Sequence, residues 1–294
     1  MRISPKESSV NTTFIESSLE KVWWSIATPE GMNSYLTYTA ETTGLVEEPK
    51  VGDEYTLCYG DIINNSKVVE CEPLKIFTLL DSYESIAPDG SVDKFYVKTR
   101  FHLEVVGTFV KIQLAVVGFK EDTHGQWFRE CLEMGWRRSL MNLKSVLELG
   151  MDLRTEMFSY PRLGIVNCTV NEEQSTASKV PAGEGNFLLE VFPNSPAFEA
   201  GLKKGDVIVA LDGVGTPTYE EFVKVISSYY SKETDVSISY YREGQEFTTI
   251  AKLSIEDIFT GLVKLEGTSF DEVKTKREKL ARQRSASGSL WENK

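Results

Sequence analysis

The run Asn194-Ser-Pro-Ala-Phe-Glu-Ala-Gly-Leu-Lys-Lys-Gly-Asp-Val-Ile-Val-Ala-Leu-Asp-Gly213 leaves the chain little choice of local structure. Ser195 is placed to cap a short helix, and Pro196 to sit in its first turn, where a missing N–H does no harm. Gly201 is placed to end that helix in the left-handed conformation. Leu202 anchors the chain in a core. Gly205-Asp206 then turns it into a buried strand, Val207–Leu211, and Asp212-Gly213 turns it out again.

This order of residues resembles the PDZ domains of bacterial high-temperature-requirement-type proteases. The resemblance implies a groove between a sheet edge and a helix, where a ligand adds as one more strand. Its terminal carboxylate would lie in a nest of backbone N–H groups, freed to form by a glycine. Arg162-Leu-Gly-Ile165 corresponds to the family's carboxylate-binding loop, with Gly164 at the turn and Leu163 and Ile165 flanking the pocket. Ile165 and Val166 begin the receiving strand. Tyr219, Val223 and Ile226 fall at i, i+4 and i+7 and share one helix face. The peptide site expected is therefore Arg162, Leu163, Gly164, Ile165, Val166, Tyr219, Val223 and Ile226, with an apolar pocket suited to chain ends such as Val, Leu, Ile, Phe or Ala.

Upstream, residues 1–150 read as a separate α+β unit. Asn11–Glu16 is a strand, Ser17 and Glu20 are spaced as a capping box, and Thr28-Pro29 starts a second helix. Strands with one apolar face follow, broken by turns predicted at Asn64-Asn65, Pro88–Gly90 and Gly107-Thr108. From Asp122 to Gly150 an apolar stripe of Phe128, Leu132, Trp136, Leu140 (or Ser139), Leu143 and Leu147 marks one long helix, and Trp127, Cys131, Met134 and Met141 widen it. A curled meander covered by a long C-terminal helix is a helix-grip. Leu19–Gly31, Val51–Tyr55 and Val69–Pro73 resemble the START-like (SRPBCC) superfamily, closest to homologues of the activator of heat-shock-protein ATPase. That resemblance implies an interior walled by Tyr55, Tyr59, Phe101, Leu103, Ile112, Leu114, Phe128 and Trp136, either as a ligand cavity or as a filled core.

The fold class expected is thus α+β: a START-like helix-grip domain over 1–150, a linker over 151–160, and a PDZ domain over 161–254, small and mostly β with two helices. A helical extension and basic tail follow over 255–294. The segment Asn171–Gly185 reads as a loop. The tail from Lys274 onward holds seven basic and two acidic residues.

The net charge of −12 argues against nucleic acid as the main partner, since phosphate binding needs a basic surface. The four cysteines form no C-x-x-C pair, and the two histidines, His102 and His124, complete no zinc set. No metal or cofactor is expected. Cys58 and Cys71 read as buried thiols of a reducing compartment. The start, Met1–Glu7, has no apolar run, and no segment has the length of a membrane span, so a cytoplasmic protein is expected. No nucleophile–base pair, Gly-x-Ser-x-Gly elbow or phosphate-cradling glycine loop occurs. The sequence therefore predicts a non-catalytic adaptor in chaperone or proteolysis assistance. Its PDZ groove would take apolar chain ends, and its first domain a hydrophobic small molecule or a partner protein. The alternative is a small-molecule enzyme working in the helix-grip interior, with the PDZ domain for localisation.

Overall fold

A computed structural model describes residues 7–59, 62–86, 92–158, 160–193, 195–229 and 234–253. The expected turn at Pro88–Gly90 and the extension and tail beyond Leu253 lie outside the described residues.

The first domain is one antiparallel sheet of seven strands in the order β1-β7-β6-β5-β4-β3-β2. They are β1 (Ser8–Ile15), β2 (Thr39–Thr42), β3 (Glu54–Cys58), β4 (Ile62–Glu72), β5 (Ile76–Ile86), β6 (Val92–Val106) and β7 (Phe109–Val117). Two short helices, α1 (Leu19–Ala27) and α2 (Pro29–Tyr35), cross between β1 and β2. The long α3 (Thr123–Leu149) covers the inner face, giving the helix-grip arrangement. Asp122 caps α3 by accepting from Gly125 N, and Gly150 ends it at φ +71°. Trp136, Leu140 and Leu143 on its inner side join Tyr55, Phe77, Phe101 and Leu114 in one core.

Three local expectations shift. The cap of α1 is Ser18, which accepts from Lys21 N, one residue later than the Ser17–Glu20 box. Asn64-Asn65 is not a turn. The chain reverses between Tyr59 and Ile62, where Tyr59 N donates to Ile62 O at 2.9 Å, and β4 runs straight through both asparagines. Asn64 stays in the strand because it points inward and bonds to Asp81 and Ser82. The widened stripe of α3 also divides. Met134 is buried in the second domain's core instead of the first's, and Met141 is 57% exposed.

The second domain is a sheet in the order β13-β12-β10-β9-β8, with β11 paired to β10. Its strands are β8 (Ile165–Thr169), β9 (Asn186–Val191), β10 (Val207–Leu211), β11 (Val214–Gly215), β12 (Thr234–Arg242) and β13 (Gln245–Leu253). Between the domains, α4 (Arg154–Phe158) gives the linker one helical turn. Among the described residues three helices, one more than expected, fall in this half: α5 (Glu172–Ser178), α6 (Pro196–Glu199) and α7 (Tyr219–Ser227). The first of these replaces the loop expected at Asn171–Gly185. Asn171 and Gln174 form a reciprocal capping box, and Lys179 closes the helix at φ +61°. The hallmark run folds as its residues dictate, with Ser195 capping α6, Pro196 in its first turn and Gly201 at φ +79°.

Candidate functional site

β8 is the last strand of its sheet, so one of its sides lacks a strand neighbour. The strand leaves a loop in which Gly164 sits at φ +72°, a conformation that a side chain would strain. The carbonyls of that loop are held from behind: Leu163 O accepts from Ala197 N at 2.9 Å and Gly164 O from Phe192 N at 3.0 Å.

Opposite β8 stands α7, capped by Thr218. Its start is pinned by Asn186, whose amide donates to Thr216 O and Thr218 O, and by Tyr219 N, which donates to Thr169 Oγ1 at 2.9 Å. Leu163, Ile165, Tyr219, Val223 and Ile226, all expected at the site, meet in one apolar cluster between strand and helix. Val166 alternates to the other side of β8 and stays outside that cluster. Arg162 is half-buried within electrostatic reach of Tyr160 and Cys131.

The slot is not open. Helix α3 of the first domain lies over it. At Thr169 the outward N–H of β8 donates to Glu130 Oε2 at 2.8 Å, and the outward carbonyl accepts from Gln126 Nε2 at 2.7 Å. Those two side chains do for Thr169 what the backbone of an added strand would do. One turn further along α3, Met134 is 8% exposed and sits in the same cluster as Leu163, Val223 and Ile226. Cys131 faces Tyr219, and burial pushes the Tyr219 phenol well above its ordinary range.

Two arginines fasten the arrangement. Arg137 pairs with Glu220 at the start of α7. Arg138 donates to Ser227 Oγ at 2.6 Å, at the end of α7, and to Met157 O at 2.8 Å in the linker helix. Its guanidinium lies 5.0 Å from the centroid of the Tyr160 ring. A groove-sized contact between domains is thus made of matched polar and apolar pieces.

Sequence reasoning located the slot but missed what lies in it: Gln126, Glu130, Met134 and Arg138 on α3, and Tyr160 in the linker. One signal was present. Cys131 and Met134 extend the apolar stripe of α3 beyond what one sheet face can cover, which marks a second contact surface on that helix.

In the first domain, Tyr55, Phe101, Leu103, Ile112, Leu114 and Trp136 are buried in one core, with Tyr59 and Phe128 packed at its margin. The Tyr55 hydroxyl donates to Ala27 O at 2.9 Å. Phe128 stacks on Phe95 with centroids 4.1 Å apart and meets Tyr83 edge-on at 6.0 Å. His102 alternates with the buried Phe101 and Leu103, so it faces away from this interior.

All four cysteines are free thiols. Among the described residues no helix is long and apolar enough to cross a membrane, and no group of three or more His, Cys, Asp or Glu side chains is gathered as metal ligands would be.

Residues 161–253 match the PDZ domain family, and this part of the chain is a PDZ domain. A protein of Haemophilus influenzae named "Probable periplasmic serine protease do/HhoA-like" is 35% identical over 96 residues, which is 32% of this chain and 20% of the relative. The periplasmic serine endoprotease DegP of Salmonella typhimurium is 32% identical over 107 residues, 35% of this chain and 22% of the relative. This chain therefore spans about a fifth of the length of these relatives. Among solved structures, the Aha1 dimer from Colwellia psychrerythraea matches 49% of this chain and 97% of its own at 20% identity and a TM-score of 0.40. DynU16, a protein of the dynemicin biosynthetic locus, matches 97% of this chain and 98% of its own at 13% identity and a TM-score of 0.44. The first domain's own strand order and covering helix are those of a helix-grip fold.

Proposed function

We propose that this protein is a non-catalytic adaptor that captures apolar chain ends in the groove between β8 and α7, in exchange for its own helix α3. The observation that carries this reading is the internal stand-in at Thr169 and Met134. An edge strand whose N–H donates to one side chain and whose C=O accepts from another, beside an apolar slot already filled by a methionine, has the chemistry for an extended peptide with an apolar last residue. Capture then requires the PDZ domain to swing off α3 about the linker, because α3 is built into the first domain's core.

The proteases among the relatives motivate a role near proteolysis or chaperone work. The START-like domain would bring the second factor, a hydrophobic small molecule or a partner protein. Four free thiols fit a reducing, cytoplasmic setting. The enzyme alternative is the weaker one, because His102 points out of the interior where it would have to act.

The test is a fluorescent peptide library with Val, Leu, Phe, Asp or Lys as last residue, titrated against the full chain. Apolar free acids should bind best. Amidating the terminus should weaken binding about tenfold or more, the worth of one set of charge-assisted hydrogen bonds. Ile226→Asp should abolish capture by placing a charge in the slot. Equal binding of acid and amide would remove the chain-end reading.

A further inference from the structure

The way α3 closes the groove says what else a displacing chain should carry. Glu220, Val223 and Ser227 fall at i, i+3 and i+7 and form one margin of α7. Helix α3 meets that margin with three side chains. Arg138 donates to Ser227 Oγ, Met134 shares the apolar cluster with Val223, and Arg137 pairs with Glu220. The last of these contacts is the one between opposite charges. It lies at the first turn of α7, where Tyr219 N meets the far end of β8 at Thr169.

Within the PDZ domain the charge of Glu220 is met only in part. Lys224 Nζ lies 2.7 Å from Glu220 Oε1 and 2.8 Å from Glu221 Oε1, so one ammonium serves two carboxylates. The second cation is Arg137, which belongs to α3. Lys224 first, and Arg137 with it, hold the Glu220 carboxyl below its ordinary range. Residues 161–253 as a whole hold thirteen acidic and eight basic side chains, so the domain's remaining charge does not make up the difference. Once the domain leaves α3, two carboxylates face one ammonium on the margin of the groove.

The strand side fixes which ligand residues come near. Ile165 joins the cluster with Val223 and Ile226. Asn167 Nδ2 donates to Asn186 Oδ1, and the Asn186 amide holds the chain at the start of α7. Thr169 Oγ1 accepts from Tyr219 N. These three residues therefore turn toward α7, as the alternation of a strand requires. A chain added antiparallel to β8, with its last residue beside Ile165, sets its third-last side chain beside Asn167 and its fifth-last beside Thr169. Both face the first turn of α7, and arginine and lysine have the length to meet Glu220 from there.

We infer that the chains captured by this groove carry an arginine or lysine at the third-last or fifth-last position, and that Glu220 selects it, the new cation replacing Arg137. This rests on the reading that the groove takes apolar chain ends, and it names what those chains carry next.

Leu-ended free-acid peptides of one serine-rich sequence test it by fluorescence anisotropy against the full chain. Each carries Arg, Gln or Glu at the third-last, fourth-last or fifth-last position. At about 50 mM salt, Arg at the third-last or fifth-last position should bind about fivefold more tightly than Gln, and Glu less tightly than Gln, as a partly exposed ion pair allows. The gap should close at about 0.5 M salt. Arg at the fourth-last position, which faces away from α7, should gain nothing. Glu220→Gln removes the charge and also loosens α3, so its affinities for all peptides shift together. The readout is the ratio of Arg to Gln peptide within the variant, which should fall to about one. Glu220→Lys should turn the preference toward Glu. Equal binding of Arg and Gln peptides at both positions would overturn the inference and leave the apolar-end reading standing. An equal gain at the fourth-last position, or a preference that survives in Glu220→Gln, would show attraction to the acidic domain at large and overturn it too. If no Leu-ended peptide binds, both readings fall.

Discussion

Replacing Met134 with aspartate should raise the full chain's affinity for a leucine-ended peptide by about a hundredfold. The gain comes from the closed arrangement alone. Met134 is buried among Leu163, Val223 and Ile226 and takes no part in the first domain's core. A carboxylate there would be desolvated among aliphatic groups at a cost of several kcal/mol, so the closed state loses its footing while each domain keeps its own core. Apparent affinity scales with the fraction of molecules whose groove is free, and about 3 kcal/mol removed from the closed state frees it roughly a hundredfold. Thr169 offers a second readout: its amide, now held by Glu130, should exchange faster with solvent in the variant. Wild-type affinity in a folded Met134→Asp protein would show that α3 does not compete for the slot.

The second large effect lies in the PDZ domain's own frame. Asp206 is 1% exposed, and its two carboxyl oxygens accept from Arg242 Nε and Nη2, each at 2.7 Å. Lys203 N also donates to Asp206 Oδ2 at 2.7 Å, closing the turn before β10, and Arg242 Nη2 reaches Gly201 O at 2.8 Å. One guanidinium thus ties the hallmark turn and the end of α6 to β12. Arg242→Ala should destabilise this domain by about 3–5 kcal/mol, because it strands a buried carboxylate. Arg242→Lys should recover only part of that, since an ammonium cannot make the two-pronged contact. Hydrogen exchange at β10 and β12 reads the second domain by itself and would register the loss. A change below about 1 kcal/mol would mean that the pair behaves as an exposed one.

How legible this was in the sequence differs by element. The α3 helix could be placed because both ends carry their own caps, Asp122 and Gly150, around a stripe at helical spacing. The run from Ser195 to Gly213 could be read residue by residue because its conformation is set locally, by Pro196 and the glycines. Asn64-Asn65 misled for a tertiary reason: a polar pair usually turns, and only the partner on β5, Asp81, explains why this one stays inside a strand. The helix at Glu172–Ser178 was hidden in a polar stretch whose single clue was the Asn171–Gln174 spacing. The slot of the PDZ domain was visible in Leu163, Val223 and Ile226. Its occupant was not, because Met134 and Glu130 reach it across the domain boundary: the widened stripe of α3 marks a second contact surface on that helix but does not say what meets it.

The side chains that α3 lends to Thr169 have one more effect. A sheet that ends in an uncovered strand invites other sheets to join it, and native proteins blunt such borders with helices or charges. Glu130 supplies both at once, a charge carried on a helix. Once the PDZ domain lets go of α3, its border is bare until a chain end claims it. Molecules released this way without a client would find one another, and light scattering of the Met134→Asp protein should grow with concentration and subside when peptide is added.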